Sequence, residues 1–136
     1  MATETKNRYV EGIGRRKTAT ARVRITPDSK TSITINGKKM EDYFPHEGLH
    51  QTVKSVLATE EAGIGDYSIS AKVLGGGTTA QAEAIRLGIA RALVIEKADR
   101  RIPLKREGYL KRDSRSVERK KFGLKKARKA PTWSKR

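Results

Sequence analysis

Lysine and arginine are the residues through which this chain could act on a partner. Its 136 residues include 31 Lys and Arg against 15 Asp and Glu, a formal net charge of +16. Residues 100–136, termed the basic tail, hold sixteen of these cations and only three acids. Ammonium and guanidinium groups bind phosphate oxygens, and each phosphate that they neutralise releases condensed counterions. The composition therefore predicts a nucleic-acid partner, although charge alone does not choose between DNA and RNA.

The candidate phosphate ligands form two groups. Arg15, Arg16 and Lys17 lie at a predicted hairpin tip, and Arg22 and Arg24 alternate with apolar residues in the strand that follows. We therefore expect these five cations on one face, as a phosphate-binding patch, with an ordinary solvated turn as the alternative. The second group lies in the basic tail and comprises Arg100, Arg101, Lys105, Arg106, Lys111, Arg112, Arg115, Arg119, Lys120, Lys121, Lys125, Lys126, Arg128 and Lys129.

The basic tail is not expected to fold by itself. Its apolar residues are few and follow no sustained period, so they cannot form a core. Repulsion among its cations should keep it extended until phosphates neutralise it. A short helix over residues 113–122, ended by Gly123, could form on the partner, and Trp133 could stack on an unpaired base. An anionic membrane is disfavoured, because the tail lacks an amphipathic apolar face.

Other chemistry has little support in the sequence. Three glycines at 75–77 precede a predicted helix, but the lysine of a P-loop and the GxGxxG pattern are both missing. Backbone freedom for a tight reversal explains these glycines. His46 and His50 share a helix face without a third metal ligand, and a chain without Cys has no thiolate nucleophile. We therefore predict no enzyme activity, cofactor, metal or small-molecule substrate.

Short alternating segments predict the strands that would carry the hairpin cations. They lie at residues 9–13, 18–26, 32–35 and 67–73. Gly12 and Gly14 permit a bulge or bend in the first strand. Asn36-Gly37 predicts a type I′ turn after the third, and residues 41–45 resemble a turn.

Two apolar stripes predict helices that cover this sheet, over about residues 49–57 and 80–97. Small residues in the second helix should let its backbone approach the strands closely. We expect an α/β, two-layer fold with about four strands and two helices, and a long extended basic C-terminal tail. The predicted domains are a flexible N-terminus (1–8), a globular body (9–99), ended by the charged segment before Pro103, and the basic tail (100–136).

Targeting signals are not evident. The first residues lack the apolar run of a secretory signal, and no window is long enough to span a bilayer. The absence of Cys gives no sign of an oxidising destination. We therefore expect a cytoplasmic protein without a membrane partner.

Three segments carry a resemblance to a known family. They are residues 14–23 (GRRKTATARV), 75–86 (GGGTTAQAEAIR) and 134–136 (SKR), and the similarity covers nearly all of the chain from Tyr9 onward. The chain resembles the family of ribosomal protein nine of the small subunit, in its bacterial or plastid form. It departs from the family pattern at Thr132-Trp133, where glutamine followed by Phe or Tyr is expected. An aromatic ring is kept there and the amide is not.

The resemblance implies a fold like the second domain of small-subunit ribosomal protein five, with a left-handed βαβ crossover. It implies a place in the head of the small ribosomal subunit, beside other head proteins, in the cytoplasm or, for an organellar protein, the plastid stroma. The cations named above would then bind 16S-type rRNA. Ser134, Lys135 and Arg136 would contact the anticodon arm of the peptidyl-site tRNA during translation.

A DNA-compacting or general nucleic-acid-binding protein is the alternative that the charge permits. A small body with one basic tail shows no dimer-forming or groove-wedging design, which disfavours DNA compaction. Preference for duplex DNA over structured RNA in a competition assay would favour it.

Overall fold

Five strands and four α-helices make up residues 9–135, which the computed structural model describes. The elements are β1 (Val10–Arg16), β2 (Ala19–Pro27), β3 (Ser32–Ile35), β4 (Lys38–Lys39), α1 (Met40–Tyr43), α2 (Glu47–Lys54), β5 (Tyr67–Leu74), α3 (Thr78–Glu96) and α4 (Arg101–Arg106), with 3₁₀ turns at Glu60–Ala62 and Ala98–Arg100. The prediction of a flexible segment at residues 1–8 lies outside the described residues. No helix within residues 9–135 is long and apolar enough to cross a bilayer.

The strands form one sheet in the order β1-β2-β5-β3-β4. β2 pairs antiparallel with β1 and β5, whereas β3 runs parallel to β5 and antiparallel to β4. The four predicted strands are confirmed, and the fifth was missed because β4 is only two residues long. The parallel pair β3 and β5 is joined by a connection that contains α1 and α2. The left hand of that crossover stays a prediction.

The type I′ turn predicted between β3 and β4 is confirmed. Its central residues Asn36 and Gly37 have φ angles of 50° and 81°. Both values lie in the left-handed region that this turn requires. The turn explains why the chain reverses tightly enough for Ile35 to pair with Lys38.

The glycines of β1 do not form the predicted bulge. Gly12 pairs with Val23 and Gly14 pairs with Ala21 in an unbroken antiparallel register. A Cβ atom on Gly14 would lie 1.7 Å from the carbonyl oxygen of Ala84 in α3. These glycines are therefore needed because the strand backbone touches the helix backbone. The small residues of α3 have the same effect from the other side, as predicted.

One face of the sheet is covered and the other is open. Alternate residues of β2 point into the core, and Ala21, Val23 and Ile25 are fully buried. On the helical layer, Ile85, Ile89 and Leu93 of α3 join the same cluster. The intervening β2 residues, including Arg22, face solvent. The period-two pattern therefore predicted correctly which side of β2 is buried.

The segment between β4 and α2 differs from the sequence prediction. Residues 41–45 resemble a turn, but α1 occupies Met40–Tyr43. Met40 and Phe44 are buried in the core, and that burial explains the extra helical turn. α2 ends at Lys54, and Val56 of the predicted stripe is buried beyond its end.

The folded part of the chain continues past the predicted limit at residue 99. Leu104 of α4 belongs to the core, and Tyr109 and Leu110 pack against it. Pro103 lies in the first turn of α4, where its missing N–H has no intrahelical acceptor to lose. We define residues 9–110 as the body and residues 111–135 as the arm.

The arm has no regular secondary structure. The free chain has no helix over residues 113–122, and the helix that could form there on the partner stays a prediction. A short isolated helix is unstable without a packed face, and Arg115 and Arg119 would repel each other at the i, i+4 spacing. The arm is nevertheless bonded to the body at its first few residues, through Arg16.

Candidate nucleic-acid interface

The first candidate surface is the open sheet face, which we define as the solvent side of β1, β2 and β5. The strand register places Arg22 opposite Ile13 on one side and opposite Lys72 on the other. Arg24 lies opposite Ser70, and Arg15 is exposed near the end of β1. Strand alternation directs these side chains to one side. The structure therefore groups Arg15, Arg22 and Arg24, as predicted, and adds Lys72.

Glu11 holds two of these arginines in place. Its carboxylate accepts a hydrogen bond of 2.9 Å from Nε of Arg22 and lies 3.7 Å from Nε of Arg24. The hydrogen bond from Arg22 lowers the pKa of Glu11, and the reverse interaction raises the pKa of Arg22. Arg24 also stacks 4.4 Å from the ring centre of Tyr9. More than half of the Arg22 side chain stays exposed and can reach a phosphate.

Arg16 does not belong to the open sheet face. It follows Arg15 on β1, so alternation directs it to the covered face, and only 8% of the residue is exposed. Its Nε donates a 2.8 Å hydrogen bond to Glu83 of α3. The prediction of five cations on one face is therefore wrong for Arg16. Lys17 is exposed in the hairpin turn, with φ at 51°.

Arg100 is a second cation that the body uses internally. It is 4% exposed, donates a 2.9 Å hydrogen bond from Nη2 to the hydroxyl of Tyr67, and pairs with Glu96 at 3.1 Å. Burial raises the pKa of the Tyr67 phenol. This arginine joins the end of α3 to β5. Its expected place in an RNA-binding tail is wrong, because its polar atoms face the protein interior.

The second candidate surface is the arm together with α4. Its cations are exposed or, for Lys121, partly exposed: Arg101, Lys105, Arg106, Lys111, Arg112, Arg115, Arg119, Lys120, Lys121, Lys125, Lys126, Arg128 and Lys129. Arg106 pairs with Glu61, and Glu118 pairs with Lys121 and Arg128. Ion pairs this exposed are weak and can open when a phosphate competes.

Aromatic and apolar side chains of the arm also face solvent. Phe122 is 98% exposed and Trp133 is 83% exposed, and Val117 is similarly free of the core. Exposed aromatic rings between cations are a typical surface for stacking on unpaired bases. Ser134 and Lys135 are exposed at the end of the arm. Arg136, the last residue of the predicted tRNA contact, lies outside the described residues.

A groove connects the body to the arm and carries positive charge. It is lined by Arg86 of α3 and by Lys111, Arg112 and Arg115 of the arm. Arg86 stacks 5.7 Å from the ring centre of Tyr109, which places its guanidinium beside the first arm cations. Sequence reasoning named neither Arg86 nor Lys72 as a ligand. Lys72 is exposed and Arg86 is partly buried, and both lie in correctly predicted elements. Which distant elements they face could not be read from local patterns.

The remaining sequence motifs have structural roles. Gly75 and Gly76 have φ angles of 75° and 65°, and a Cβ on Gly75 would lie 2.6 Å from the carbonyl oxygen of Thr18. The packing explanation of this loop is therefore confirmed. Nε2 of His50 donates a hydrogen bond of 2.5 Å to the carbonyl oxygen of Phe44. Within residues 9–135, no group of three potential ligands could hold a metal ion.

Comparisons with known proteins agree with the resemblance. Residues 14–136 match the family described as Ribosomal protein S9/S16. A protein named small ribosomal subunit protein uS9 from Nocardia farcinica is 50% identical over 130 residues, which cover 96% of this chain and 77% of that relative. The protein of that name from Salinispora tropica is 49% identical over 130 residues (96% of this chain, 83% of the relative).

A relative of the same name in Mycobacterium tuberculosis is 47% identical over 129 residues, covering 95% of this chain and 84% of its own length. The family match thus includes β2, β5, α3 and the whole arm. This chain belongs to the S9 family of ribosomal proteins.

Proposed function

We propose that this chain is a structural component of the small ribosomal subunit that binds 16S-type rRNA through the open sheet face and the arm. The observation that carries the proposal is the exposed, core-free arm, whose cations greatly outnumber its acids. Membership of a ribosomal protein family supports the same role and makes the chain a non-enzymatic protein. The ribosome is accordingly its location, in the cytoplasm or in a plastid.

The open sheet face supplies the rigid part of the proposed rRNA site. Neighbouring strands lie about 4.8 Å apart, so the paired positions of Arg22 and Lys72 are close enough to share a phosphate group. Glu11 pairs with both Arg22 and Arg24, so a phosphate must compete with its carboxylate for these arginines. Phosphate contacts of this kind fix position and orientation without reading base sequence.

The arm supplies the adaptable part. An extended segment without its own core can follow the irregular surface between rRNA helices, and phosphate contacts offset the entropy lost when it becomes ordered. Phe122 and Trp133 could stack on unpaired bases along that path. Neighbouring head proteins would contact the parts of the body that RNA leaves uncovered.

The end of the arm is proposed to contact the anticodon arm of the peptidyl-site tRNA. Ser134, Lys135 and Arg136 match the terminal triplet of the family pattern. Backbone contacts by two cations and a hydroxyl serve every tRNA alike, because they carry no sequence information. A few such contacts allow a tRNA to bind and leave repeatedly.

Sedimentation of cell extract tests the proposed assembly. We expect the chain to travel with the small subunit and to leave it only at salt concentrations far above the physiological one, because many phosphate contacts must be broken together. Release at low salt, or migration with chromosomal DNA, would contradict the proposal. Competition between duplex DNA and 16S-type rRNA for the purified chain tests the same alternatives in vitro, and we expect rRNA to be preferred.

A further inference from the structure

Arg16 is the point at which the arm is joined to the body. Within residues 9–135, every side-chain hydrogen bond and ion pair between body and arm uses its guanidinium group. Nη1 donates to the backbone carbonyl of Arg115, and Nη2 lies 3.4 Å from Oδ2 of Asp113. Beyond Arg115, the hydrogen bonds of the arm are internal to it, as in the pairing of Glu118 with Arg128.

The body holds this guanidinium firmly. Arg16 is the last residue of β1, and its aliphatic chain is buried beneath α3, with 10% of the side chain exposed. Glu83 of α3 accepts the hydrogen bond from Nε, which directs both Nη groups towards the arm. Nearby, Tyr109 lies beneath Arg86 and leads the chain into the arm. The anchor is therefore made by two rigid elements rather than by a loop.

The arm presents a matching pair of acceptors. Oδ1 of Asp113 accepts a 3.0 Å hydrogen bond from the backbone N–H of Arg115, and its Oδ2 accepts a 2.9 Å bond from Nη2 of that residue. This local turn exposes the Arg115 carbonyl and one carboxylate oxygen on the side that faces Arg16. The guanidinium of Arg115 itself remains exposed, at 84% of its side chain.

We infer that Arg16 is a positioning residue that fixes the direction in which the arm leaves the body. Three acceptors from two segments, α3 and the arm, surround one planar group. An ammonium group lacks the fixed fork that reaches all of them. Arg15, its exposed neighbour, has the opposite role and is free for RNA. The inference concerns the unbound protein and stands independently of the proposed function.

Pulsed electron–electron double resonance, which measures the distance between two spin labels, tests this inference. Because the chain has no Cys, two introduced cysteines are the only sites that the labels modify. Lys54→Cys on α2 and Val117→Cys just beyond Arg115 are both at exposed positions. We expect one narrow distance distribution in the otherwise unchanged protein. Arg16→Gln and Arg16→Lys should both lose that narrow distribution, whereas Arg15→Gln, the matched control on the same strand, should keep it.

Asp113→Asn tests the same contact from the arm side, in case Arg16→Gln destabilises the body. It changes only the arm side of the contact, and we expect it to broaden the distribution while the melting temperature of the body stays unchanged. The inference would be overturned if the folded variants at Arg16 and Asp113 all gave a distance distribution as narrow as that of Arg15→Gln. A broad distribution in the unchanged protein would overturn it as well.

Discussion

The body and the arm use arginine in opposite ways. In the body, Arg16 and Arg100 are almost fully buried, and each is bonded to a carboxylate of α3. In the arm, cations such as Arg112 and Lys126 are exposed and far outnumber the two acids available, Asp113 and Glu118. The difference shows that a basic sequence is not uniformly an RNA-binding sequence. A buried, partnered arginine holds the fold, and an exposed one remains available for phosphate.

Removing the arm should give the largest effect on RNA binding. Deletion of residues 111–136 should leave the body folded but reduce affinity for 16S-type rRNA by on the order of 10³-fold at physiological salt, since most phosphate contacts are lost. Filter binding across a salt series measures both affinity and slope. An unchanged salt slope would show that the arm does not contact phosphates.

Arg100→Gln and Arg112→Gln compare the two uses of arginine directly. Loss of the Arg100 guanidinium leaves the Tyr67 hydroxyl and Glu96 without their partner, and should lower the free energy of unfolding by roughly 2–3 kcal/mol. Arg112→Gln should leave stability unchanged and lower the salt slope of rRNA binding by nearly one unit. Urea denaturation measures the stability of each variant, and filter binding across a salt series measures its salt slope. Equal effects of both variants on the free energy of unfolding would contradict the distinction between a structural and a phosphate-binding arginine.

Removal of residues 134–136 should have a narrower effect. Assembly of the small subunit should continue, because the rest of the arm is kept, but retention of peptidyl-site tRNA should weaken since two backbone-binding cations are lost. Toeprinting and reading-frame assays on purified ribosomes measure this. Unchanged tRNA retention and frame accuracy would refute the tRNA contact.

Glu11→Gln should tighten rRNA binding a few-fold. Glu11 is the acid that pairs with Arg22 and Arg24, so its neutralisation frees both arginines for phosphate. Glu47→Gln, at an exposed position of α2, is the matched control of equal charge change. Weaker binding by Glu11→Gln than by the control would indicate that Glu11 mainly positions the arginines.

The pH dependence of the arm contact should be the smallest effect. Hydrogen bonds from Arg115 hold the pKa of the Asp113 carboxyl well below its usual value of 3.8. A lowered pKa in the folded state means that the contribution is complete above the ordinary value and is lost as pH falls below it. The spin-label distribution should therefore be constant from about pH 5 to pH 8. Broadening within that range would contradict the assignment of Asp113.

Local patterns predicted the elements that have strong periodicity. The alternation of β2 and β5, the Asn36-Gly37 turn and the apolar stripe of α3 were all confirmed, because each is determined by short-range geometry. The two-residue β4 and the four-residue α1 are too short to give a period. Their positions depend on tertiary packing, especially on the burial of Met40 and Phe44.

Residue function was harder to predict than fold. Composition predicted that the whole basic tail lacks a core, but Leu104, Tyr109 and Leu110 pack in or against the core of the body. It also could not separate Arg100 from its exposed neighbours, because burial of Arg100 depends on Tyr67 more than thirty residues earlier. Arg16 could have been recognised, since strict alternation along β1 directs Arg15 and Arg16 to opposite faces. Gly12 and Gly14 show the same limit: only the contact with α3 reveals why they are glycine.

Hydrogen exchange of the free chain and of its complex with 16S-type rRNA tests the central claim most directly. We predict that amides of the arm exchange quickly in the free protein beyond the Arg16 contact and become protected on rRNA, while the core amides of β2 and α3 are protected in both states. An arm already protected in the free protein, or still unprotected in the complex, would contradict the claim.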